Sequence, residues 1–331
     1  MKSNPLISRA FLFGACLMIG VELAVRISFQ DNMSGRFEYG FHPSAGFIEE
    51  GGQVHLKRTG GRRFRPQSFT VEPPEGVFRV FVIGDSVTRG SSVESSYAGR
   101  LAVELKAQGI SAESYNLGIG GHGARRKHLT LVHSLNYKPD LVLLHINNSN
   151  EFEDEREFLR STEFNSWHPR NWPMKSIALR RVYEMKTEKV FWKWIPASIR
   201  MSQAKNDADA EIVAMSSEGA TERWNQRVRE LTGESTQAAL AKQIPILVIS
   251  QAYNMESENQ SRRLDDNGLE NIAESQTQKG VLHLSMKQVL ENLDFQTLYS
   301  DRSHLRDEGH EAMSKAIVQK LIDSGIVSLK K

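Results

Sequence analysis

The sequence is short of features that would narrow its function at once, namely cysteine and an excess of one charge. Cys16 is the single cysteine in 331 residues, so no internal disulfide can form. The net charge is +2, with 42 basic and 40 acidic residues. This balance argues against a nucleic-acid-binding protein, because such proteins usually carry a strong basic excess. The remaining composition is that of an ordinary globular protein with a sizeable core.

An apolar run of modest length lies at the N-terminus. Lys2 and Arg9 precede the apolar residues 10–25, and this order predicts an uncleaved signal anchor over residues 1–30. The bulk of the chain would then lie outside the cytoplasm, in the periplasm or at the cell surface. The run contains Glu22 and is shorter than the roughly 20 residues that a membrane span needs. An amphipathic helix packed on the soluble domain is the alternative.

From residue 76 onward, strand-like and helix-like segments alternate. Compact apolar runs predict strands at residues 78–84, 112–118, 140–146, 244–250 and 280–285. Helical spacing predicts helices at residues 95–109, 124–137, 222–242 and from 307 to about 324. This alternation predicts βαβ units, with helices on both faces of a mainly parallel sheet. Ligands of such sheets bind beyond the carboxyl ends of the strands.

Two segments depart from this alternation. Residues 31–75 are rich in glycine, arginine, proline and serine, and they predict an irregular connector. Residues 152–235 begin with an acidic run and contain all five tryptophans, and they predict a mainly helical cap within a domain of residues 76–331. These aromatic side chains could stack on sugar rings or lie on a membrane surface. A small core inside the cap is the favoured interpretation.

Polar residues that suit acyl-transfer chemistry follow the strand ends. The stretch GDSVTRG places Ser86 directly after the first strand, which suits a nucleophile if a base can reach it; a helix N-cap is the alternative. Asn150 follows the third strand in NNSNEF, where it can donate a hydrogen bond or simply form a turn. Asp301 and His304 stand three residues apart before the last helix, so the carboxylate can orient the imidazole.

The stretch NLGIGGHG carries the letters of a dinucleotide fingerprint, Gly118-x-Gly120-x-x-Gly123. A nucleotide loop should follow the first strand, with an acid roughly 20 residues on at the end of the next strand. Here the loop follows the second strand, and Asp140 begins the next strand instead of ending it. We therefore interpret the glycines as a tight turn that aims a backbone N–H at a developing oxyanion.

Taken together, the blocks GDSVTRG, NLGIGGHG, HINNSNEF and SDRSHL resemble those of the SGNH hydrolase superfamily, also called GDSL esterases and lipases. The resemblance covers about residues 76–151 and 236–326. It implies a flavodoxin-like three-layer α/β/α sandwich. It also implies that Ser86 is the nucleophile, that His304 takes its proton and that Asp301 orients His304.

The resemblance further implies an oxyanion hole. Its donors would be the backbone N–H groups of Ser86 and Gly121 and the side chain of Asn150. Alignment on the NLGxxG pattern selects Gly121, with Gly120 one residue away as the alternative. The third block departs from the family pattern, because Asn148 stands where the matching variant has glycine.

The sequence therefore predicts a membrane-anchored serine esterase that hydrolyses an O-acyl ester through an acyl-enzyme on Ser86. We expect an acetyl or other short acyl group, carried by a small molecule or a polysaccharide. An O-acyltransferase acting on a cell-surface polysaccharide would use the same residues, and a non-catalytic binding protein on this fold is a second alternative. No cluster of histidine, cysteine and carboxylate has zinc spacing, so we predict no metal and no cofactor. We expect no nucleic-acid partner.

Overall fold

A computed structural model of the chain describes an N-terminal helix, most of the α/β region and scattered residues between. The described residues are 5–28, 46–56, 58–59, 62–165, 167–169, 176, 178, 194, 196–199, 206–207, 210, 219–255 and 264–327. The chain forms two compact units. One comprises Met1–Tyr39 with Arg156–Ala214, and the other comprises Gly40–Glu155 with Met215–Lys331. The second unit contains the five strands that the sequence predicts.

The described elements follow one another along the chain as strands and helices, with 3-10 turns at Leu135–Tyr137 and Ala197–Ile199. They are α1 (Pro5–Ser28), β1 (Phe47–Glu50), β2 (Gln53–Leu56), β3 (Arg58–Thr59), β4 (Arg62–Arg63), β5 (Ser68–Thr70), β6 (Phe78–Gly84), α2 (Ser86–Arg89), α3 (Tyr97–Ala107), β7 (Ala112–Gly118), α4 (Ala124–Ser134), β8 (Leu141–Ile146), α5 (Glu151–Asn165), α6 (Ala220–Ala241), β9 (Ile246–Ser250), β10 (Tyr253–Asn254), β11 (Leu264–Asp265), α7 (Leu269–Glu274), β12 (Val281–Ser285), α8 (Met286–Leu290), α9 (Phe295–Leu298) and α10 (Asp307–Asp323).

Five strands form a parallel sheet in the order β12-β9-β8-β6-β7. The first of them along the chain, β6, lies between the second and the third, so the strand order reverses at β6. This is the flavodoxin-like order, and the predicted fold class is confirmed. At such a reversal the carboxyl ends of the strands open into a crevice, and here the ends of β6, β7 and β8 meet.

Both faces of the sheet are buried because helices cover each of them. Val80 and Val82 of β6 belong to a core shared with α3, α8 and α10. Phe81 and Ile83 point to the opposite face and belong to a core shared with α4, α6 and α7. Burial on both sides explains why β6 reads as one continuous apolar and aromatic run rather than an alternating pattern.

Residues 46–75 correct the predicted connector. Strands β1, β2 and β5 form a small antiparallel sheet, and Phe47, Val54 and Phe69 are buried in the same core as Phe81. The ring centroids of Phe69 and Phe81 lie 5.2 Å apart. This segment therefore contributes aromatic packing to the α/β unit. Strands of three or four residues between glycines are too short for a period to show in the sequence.

The N-terminal segment is helical, but the predicted membrane span is not supported. No helix in the described part of the chain is both long enough and apolar enough to cross a membrane. Within its own unit, Glu22 of α1 accepts hydrogen bonds from Ser176 Oγ at 2.7 Å and from Ala178 N–H at 3.0 Å. Hydrogen-bonded polar groups therefore lie at Glu22, within the apolar run that a membrane span would place in lipid.

The predicted cap over residues 152–235 is described only in part, since most of residues 166–218 lie outside the described residues. Its C-terminal boundary is corrected. Helix α6 belongs to the unit with the sheet, where Val228 and Leu231 enter the core. Trp167 and Trp194 are 88% and 82% exposed, so these two tryptophans do not form the cap core that we favoured.

Candidate active site

Ser86 lies at the carboxyl end of β6, where the chain changes sharply from strand to helix. It is the first residue of α2, and the helix is capped by the carboxylate of Asp85, which accepts a hydrogen bond from Val87 N–H at 3.0 Å. The N-cap alternative for Ser86 is therefore wrong. A Cβ atom at Gly84 would lie 1.9 Å from Thr88 Oγ1, so glycine is required at the end of the strand.

His304 connects this serine to a carboxylate. Its Nε2 lies 2.8 Å from Ser86 Oγ, and its Nδ1 lies 2.8 Å from Asp301 Oδ2. In the tautomer that fits both contacts, Nδ1–H donates to the carboxylate and Nε2 accepts from the hydroxyl. Although 218 residues separate Ser86 from His304, the structure brings these three predicted side chains together. A hydroxyl, a base and a group that orients the base are the parts of an activated nucleophile.

The loop that carries Asp301 and His304 is closed by its own hydrogen bonds. Tyr299 and Leu305 pair as an antiparallel bridge, and the carboxylate of Asp301 accepts the backbone N–H groups of Ser303 and His304 at 2.8 and 2.9 Å. Desolvation opposes ionisation of Asp301, but these donors outweigh it and lower the pKa of Asp301. The side chains of Asp301 and His304 are 56% and 44% exposed, so this pair meets water directly.

The glycine stretch after β7 forms the tight turn that its sequence predicts. His122 N–H donates to the carbonyl of Ile119 at 3.3 Å, which makes Gly120 and Gly121 the central residues of a β-turn. Gly121 has φ +72°, a conformation that favours glycine at this turn position. The turn lies against the serine, because a Cβ atom at Gly120 would be 3.7 Å from Ser86 Cβ. The roles of the backbone N–H groups of Ser86 and Gly121 as oxyanion donors stay predictions.

Asn150, in the loop after β8, contacts Asp85. Its Nδ2 donates to Asp85 Oδ2 at 3.0 Å, and Asp85 is the residue that precedes Ser86. An amide nitrogen has two protons, so this bond leaves the second proton of Asn150 for a further acceptor. The structure thus brings Asn150 to the residue next to the serine, and its role as an oxyanion donor stays a prediction.

Asn148 is the residue that departs from the family pattern, and the structure gives its side chain a role. Asn148 Oδ1 accepts from Tyr253 OH at 2.9 Å, and its Nδ2 donates to Asn225 Oδ1 at 2.8 Å. The residues other than glycine with positive φ in the described part of the chain do not include Asn148. The backbone here does not require glycine, and the amide instead links the loop after β8 to α6 and β10.

Four buried polar side chains that the sequence did not select lie behind the turn and the Asn150 loop. They are Asp85, Lys127, Asn147 and Glu151, none more than 2% exposed. Lys127 Nζ donates to Asn147 Oδ1 at 2.9 Å, and Asn147 Nδ2 donates to Asp85 Oδ2. Glu151 Oε1 accepts the backbone N–H of Ala124 at 2.7 Å and so caps α4 directly after the glycine turn.

A helical period marks Lys127 in retrospect. Ala124, Lys127 and Leu131 are spaced i, i+3 and i+7 along α4, and the first and last of them are buried apolar residues. Such spacing puts all three on the face that packs against the sheet. A lysine on a buried helix face is rare unless a polar partner awaits it, so the position alone indicates a buried polar group nearby.

The buried carboxyl group of Glu151 has a strongly perturbed protonation equilibrium. Burial and, after it, the nearby carboxylate of Asp154 raise the pKa of Glu151 to about 8. Ala124 N–H, Lys127 and Arg227 act in the opposite direction without reversing the shift.

The remaining histidines stay outside the contacts described above. His145 is a buried core residue of β8, and its Nδ1 lies 2.8 Å from Tyr97 OH. His310 is buried and structural, since its Nδ1 accepts from Tyr97 N–H at 3.3 Å. His122, in the glycine turn, is also buried. Within the described residues, no group of three or more histidine, cysteine, aspartate or glutamate side chains is arranged to hold a metal ion.

Comparison with known proteins finds similarity only among solved structures. No family model matches the chain, and no curated protein matches it. Axe2, an acetylxylan esterase from Geobacillus stearothermophilus, is 15% identical and has a TM-score of 0.42, over 74% of this chain and 94% of that one. A GDSL-like lipase from Bacteroides thetaiotaomicron is 12% identical with a TM-score of 0.40, over 76% of this chain and 91% of that one. TesA is 9% identical with a TM-score of 0.45, over 75% and 99%.

Two of the three matched structures, Axe2 and the GDSL-like lipase, have names from the esterase and lipase group that the motifs of this chain resemble. Their TM-scores lie below 0.5 and their identities below 25%, so we draw no functional argument from them.

Proposed function

We propose that this chain is a serine esterase of the SGNH type that hydrolyses an O-acyl ester through an acyl-enzyme on Ser86. The observation that carries the proposal is the continuous contact from Ser86 Oγ to His304 Nε2 and from His304 Nδ1 to Asp301, each 2.8 Å long. A serine hydroxyl is a poor nucleophile at neutral pH without such a base. The resemblance of four sequence blocks to one hydrolase superfamily supports the same conclusion.

The first half of the reaction forms the acyl-enzyme. Ser86 Oγ attacks the carbonyl carbon of the ester while its proton moves to His304 Nε2, and the carbonyl oxygen becomes an oxyanion. Asp301 stabilises the resulting imidazolium through Nδ1–H. Collapse of the tetrahedral intermediate breaks the bond to the alcohol, and His304 returns the proton to the departing alkoxide.

The second half releases the acid. A water molecule attacks the acyl carbon and gives a proton to His304 Nε2, and a second oxyanion forms. Collapse then breaks the bond to Ser86 Oγ, which takes the proton back, and a free carboxylic acid leaves. The exposure of His304 supports water as the acceptor, because bulk solvent reaches the base directly.

Labelling with a fluorophosphonate probe tests this proposal. We expect the wild-type protein to be labelled on Ser86 and to hydrolyse short p-nitrophenyl esters. Ser86→Ala should abolish both while changing the thermal midpoint little, because the hydrogen bond that it removes ends at the partly exposed ring of His304. Turnover retained in Ser86→Ala would exclude this nucleophile, and a folded wild-type protein without labelling would favour the non-catalytic binding protein.

Product analysis separates hydrolysis from transfer. An O-acyltransferase would use the same serine, base and oxyanion donors and would differ only in the acceptor. We expect free acid as the main product with and without a polysaccharide acceptor present, and an acylated polysaccharide would establish the transferase instead. A panel of acetyl to long-chain esters, with acetylated xylan and peptidoglycan beside it, tests the expectation of a short acyl group.

Attachment to a membrane through α1, with the catalytic unit outside the cytoplasm, is a further part of the proposal. Helix α1 exposes large apolar side chains that a lipid surface would cover. They are Leu12, Phe13, Leu17, Met18, Ile19, Val21, Leu23 and Ile27. Flotation of the full chain with lipid vesicles tests attachment, and protease accessibility in intact spheroplasts tests the side. Full-length protein that does not float with the vesicles would contradict attachment. Protein that is protected from protease in intact spheroplasts would contradict a position outside the cytoplasm.

A further inference from the structure

Lys127 lies on the buried face of α4, directly after the glycine turn, and its side chain is removed from water. It is 2% exposed, and its ammonium group donates a 2.9 Å hydrogen bond to Asn147 Oδ1. Burial of a lysine without a compensating partner is strongly unfavourable. No step of the proposed hydrolysis uses this residue, so its presence behind the site requires another explanation.

The hydrogen bond from Lys127 to Asn147 begins a chain of hydrogen bonds that ends at Asn150, the predicted oxyanion donor. Asn147 accepts from Lys127 through Oδ1 and donates through Nδ2 to Asp85 Oδ2. The same oxygen of Asp85 accepts from Asn150 Nδ2 at 3.0 Å, and its other oxygen accepts from Val87 N–H. Both oxygens of this carboxylate are therefore held, and the amide of Asn150 is oriented by one of them.

The charge of Asp85 explains why a cation is needed behind it. Asp85 is 2% exposed and adjacent to Ser86, so a negative charge on its buried carboxylate requires a compensating partner. Lys127, joined to Asp85 through Asn147, supplies a compensating positive charge. Burial lowers the pKa of Lys127, and the carboxylates of Asp85, Glu151 and Asp154 oppose that shift.

We propose that Lys127 is a positioning residue for the oxyanion hole, acting on Asn150 through the hydrogen-bonded chain Lys127–Asn147–Asp85–Asn150. The proposal rests on the proposed esterase function, because it assigns Lys127 a part in the same reaction. Lys127 touches neither substrate nor reacting atoms. It fixes the carboxylate that orients the amide of Asn150.

The first experiment removes the ammonium group of Lys127 and compares the effect with removal of the same group from another lysine. Lys127→Met keeps much of the side-chain volume without charge or donor, and we expect kcat to fall by roughly tenfold or more with KM within about threefold. Lys242→Met is the matched control, since Lys242 is exposed and bonds to Leu135 O and Asn136 Oδ1 in the 3-10 turn after α4. This control should keep the wild-type kcat.

A double-mutant cycle with Asn150→Ala is the decisive measurement. If Lys127 acts through Asn150, Lys127→Met should cost less than about twofold in kcat once Asn150 is already alanine. An equal loss in both backgrounds would overturn the proposal and leave Lys127 a structural residue. Lys127→Gln, which retains a donor, replaces Lys127→Met in the cycle if the methionine variant does not fold, and Asn147→Ala cuts the same chain if neither folds.

The labelling rate of Ser86 by the fluorophosphonate distinguishes this failure from a failure of the proposed function. Labelled, active wild-type protein with additive substitutions would overturn only the role of Lys127. Wild-type protein that is folded but neither labelled nor active would overturn both proposals. We expect labelling to slow in Lys127→Met by a factor similar to the loss in kcat, because phosphonylation also builds negative charge on an oxygen in the oxyanion hole.

Discussion

The two sides of the serine are built from the same kinds of groups in opposite environments. On one side, the carboxylate and imidazole of Asp301 and His304 are 56% and 44% exposed. On the other side, the carboxylate of Asp85 and the ammonium of Lys127 are each 2% exposed. In the proposed reaction, Asp301 and His304 on the exposed side transfer protons, which water can supply and accept. The buried side fixes the charged groups in place, where a low dielectric strengthens the electrostatic interactions of each group.

The comparison teaches that burial matches the proposed task of each pair. A base that passes protons to an alcohol and takes them from water needs access to both. Donors that stabilise an oxyanion need fixed orientation and a dry setting, because reorganising solvent weakens them. A substitution on the buried side should therefore change kcat more steeply than its exposed counterpart when each removes one orienting interaction.

The largest effect should come from Asn150, which the buried carboxylate of Asp85 orients. Asn150→Ala removes the side-chain donor, and we expect kcat to fall by about 100- to 1000-fold, the usual cost of losing an oxyanion donor. KM should change little, because the donor acts mainly in the transition state. Steady-state kinetics with an activated aryl ester measures both parameters. A change in KM alone would place Asn150 in substrate binding.

The exposed side should tolerate loss of its orienting group better. Asp301→Asn keeps the shape of the side chain but removes the charge that stabilises the imidazolium, and we expect kcat to fall by roughly 10- to 100-fold. Water can substitute in part at a position that is 56% exposed. A loss larger than that of Asn150→Ala would reverse the comparison. Circular dichroism controls for the hydrogen bonds that Asp301 makes to the loop backbone.

Glu151→Gln tests the buried side through the dependence of stability on pH. The pKa of Glu151 rises from 4.5 in the unfolded chain to about 8 in the folded protein, mainly through burial. Between these values the folded state binds the extra proton, so wild-type stability should fall as the pH rises through this window. Glutamine keeps an oxygen for Ala124 N–H and has no charge to desolvate.

Urea unfolding at several pH values measures this difference. The free energy of unfolding of Glu151→Gln should be similar to that of the wild type near pH 5, should exceed it increasingly up to about pH 8 and should then differ by a constant amount. Parallel curves for the two proteins would show that Glu151 ionises normally in the fold. Glu270→Gln, at a partly exposed residue of α7, is the control and should follow the wild-type curve.

The smallest effect should come from Asn148. Its side chain supports the loop after β8 but does not belong to the hydrogen-bonded chain from Lys127 to Asn150. Asn148→Gly restores the family residue but removes the bonds to Tyr253 and Asn225, so we expect a loss of about 1–2 kcal/mol in the free energy of unfolding. Activity should stay within about threefold. Tyr253→Phe removes the hydroxyl that contacts both the side chain and the backbone N–H of Asn148, and it should cost a comparable amount in the same denaturation experiment.

The parts of the fold that sequence predicts are those with a strong period or a fixed chain order. Strands β6 and β7 match the predicted runs at both ends because both runs end at glycines and, in β6, both faces are buried. The meeting of Ser86 with His304 was predictable only from the order of four motifs, since nothing local to either residue points to the other.

The parts that sequence does not predict depend on partners distant in the chain. Lys127 reads as one of three consecutive basic residues, and its burial becomes intelligible only with Asn147 and Asp85 beside it. The small sheet in residues 46–75 escapes notice because its strands are shorter than a recognisable period. Its aromatic residues pack into a core formed by elements that follow later in the chain.

The closed loop from Tyr299 to Leu305 has a consequence for how the protein should respond to heat. Since the loop is braced by its own backbone, the imidazole moves together with α10, whose Met313 and Ile317 dock on the sheet. Loosening of that one helix would carry the ring away from the hydroxyl while the rest of the sheet stays intact. Inactivation on warming would then precede loss of secondary structure and reverse on cooling.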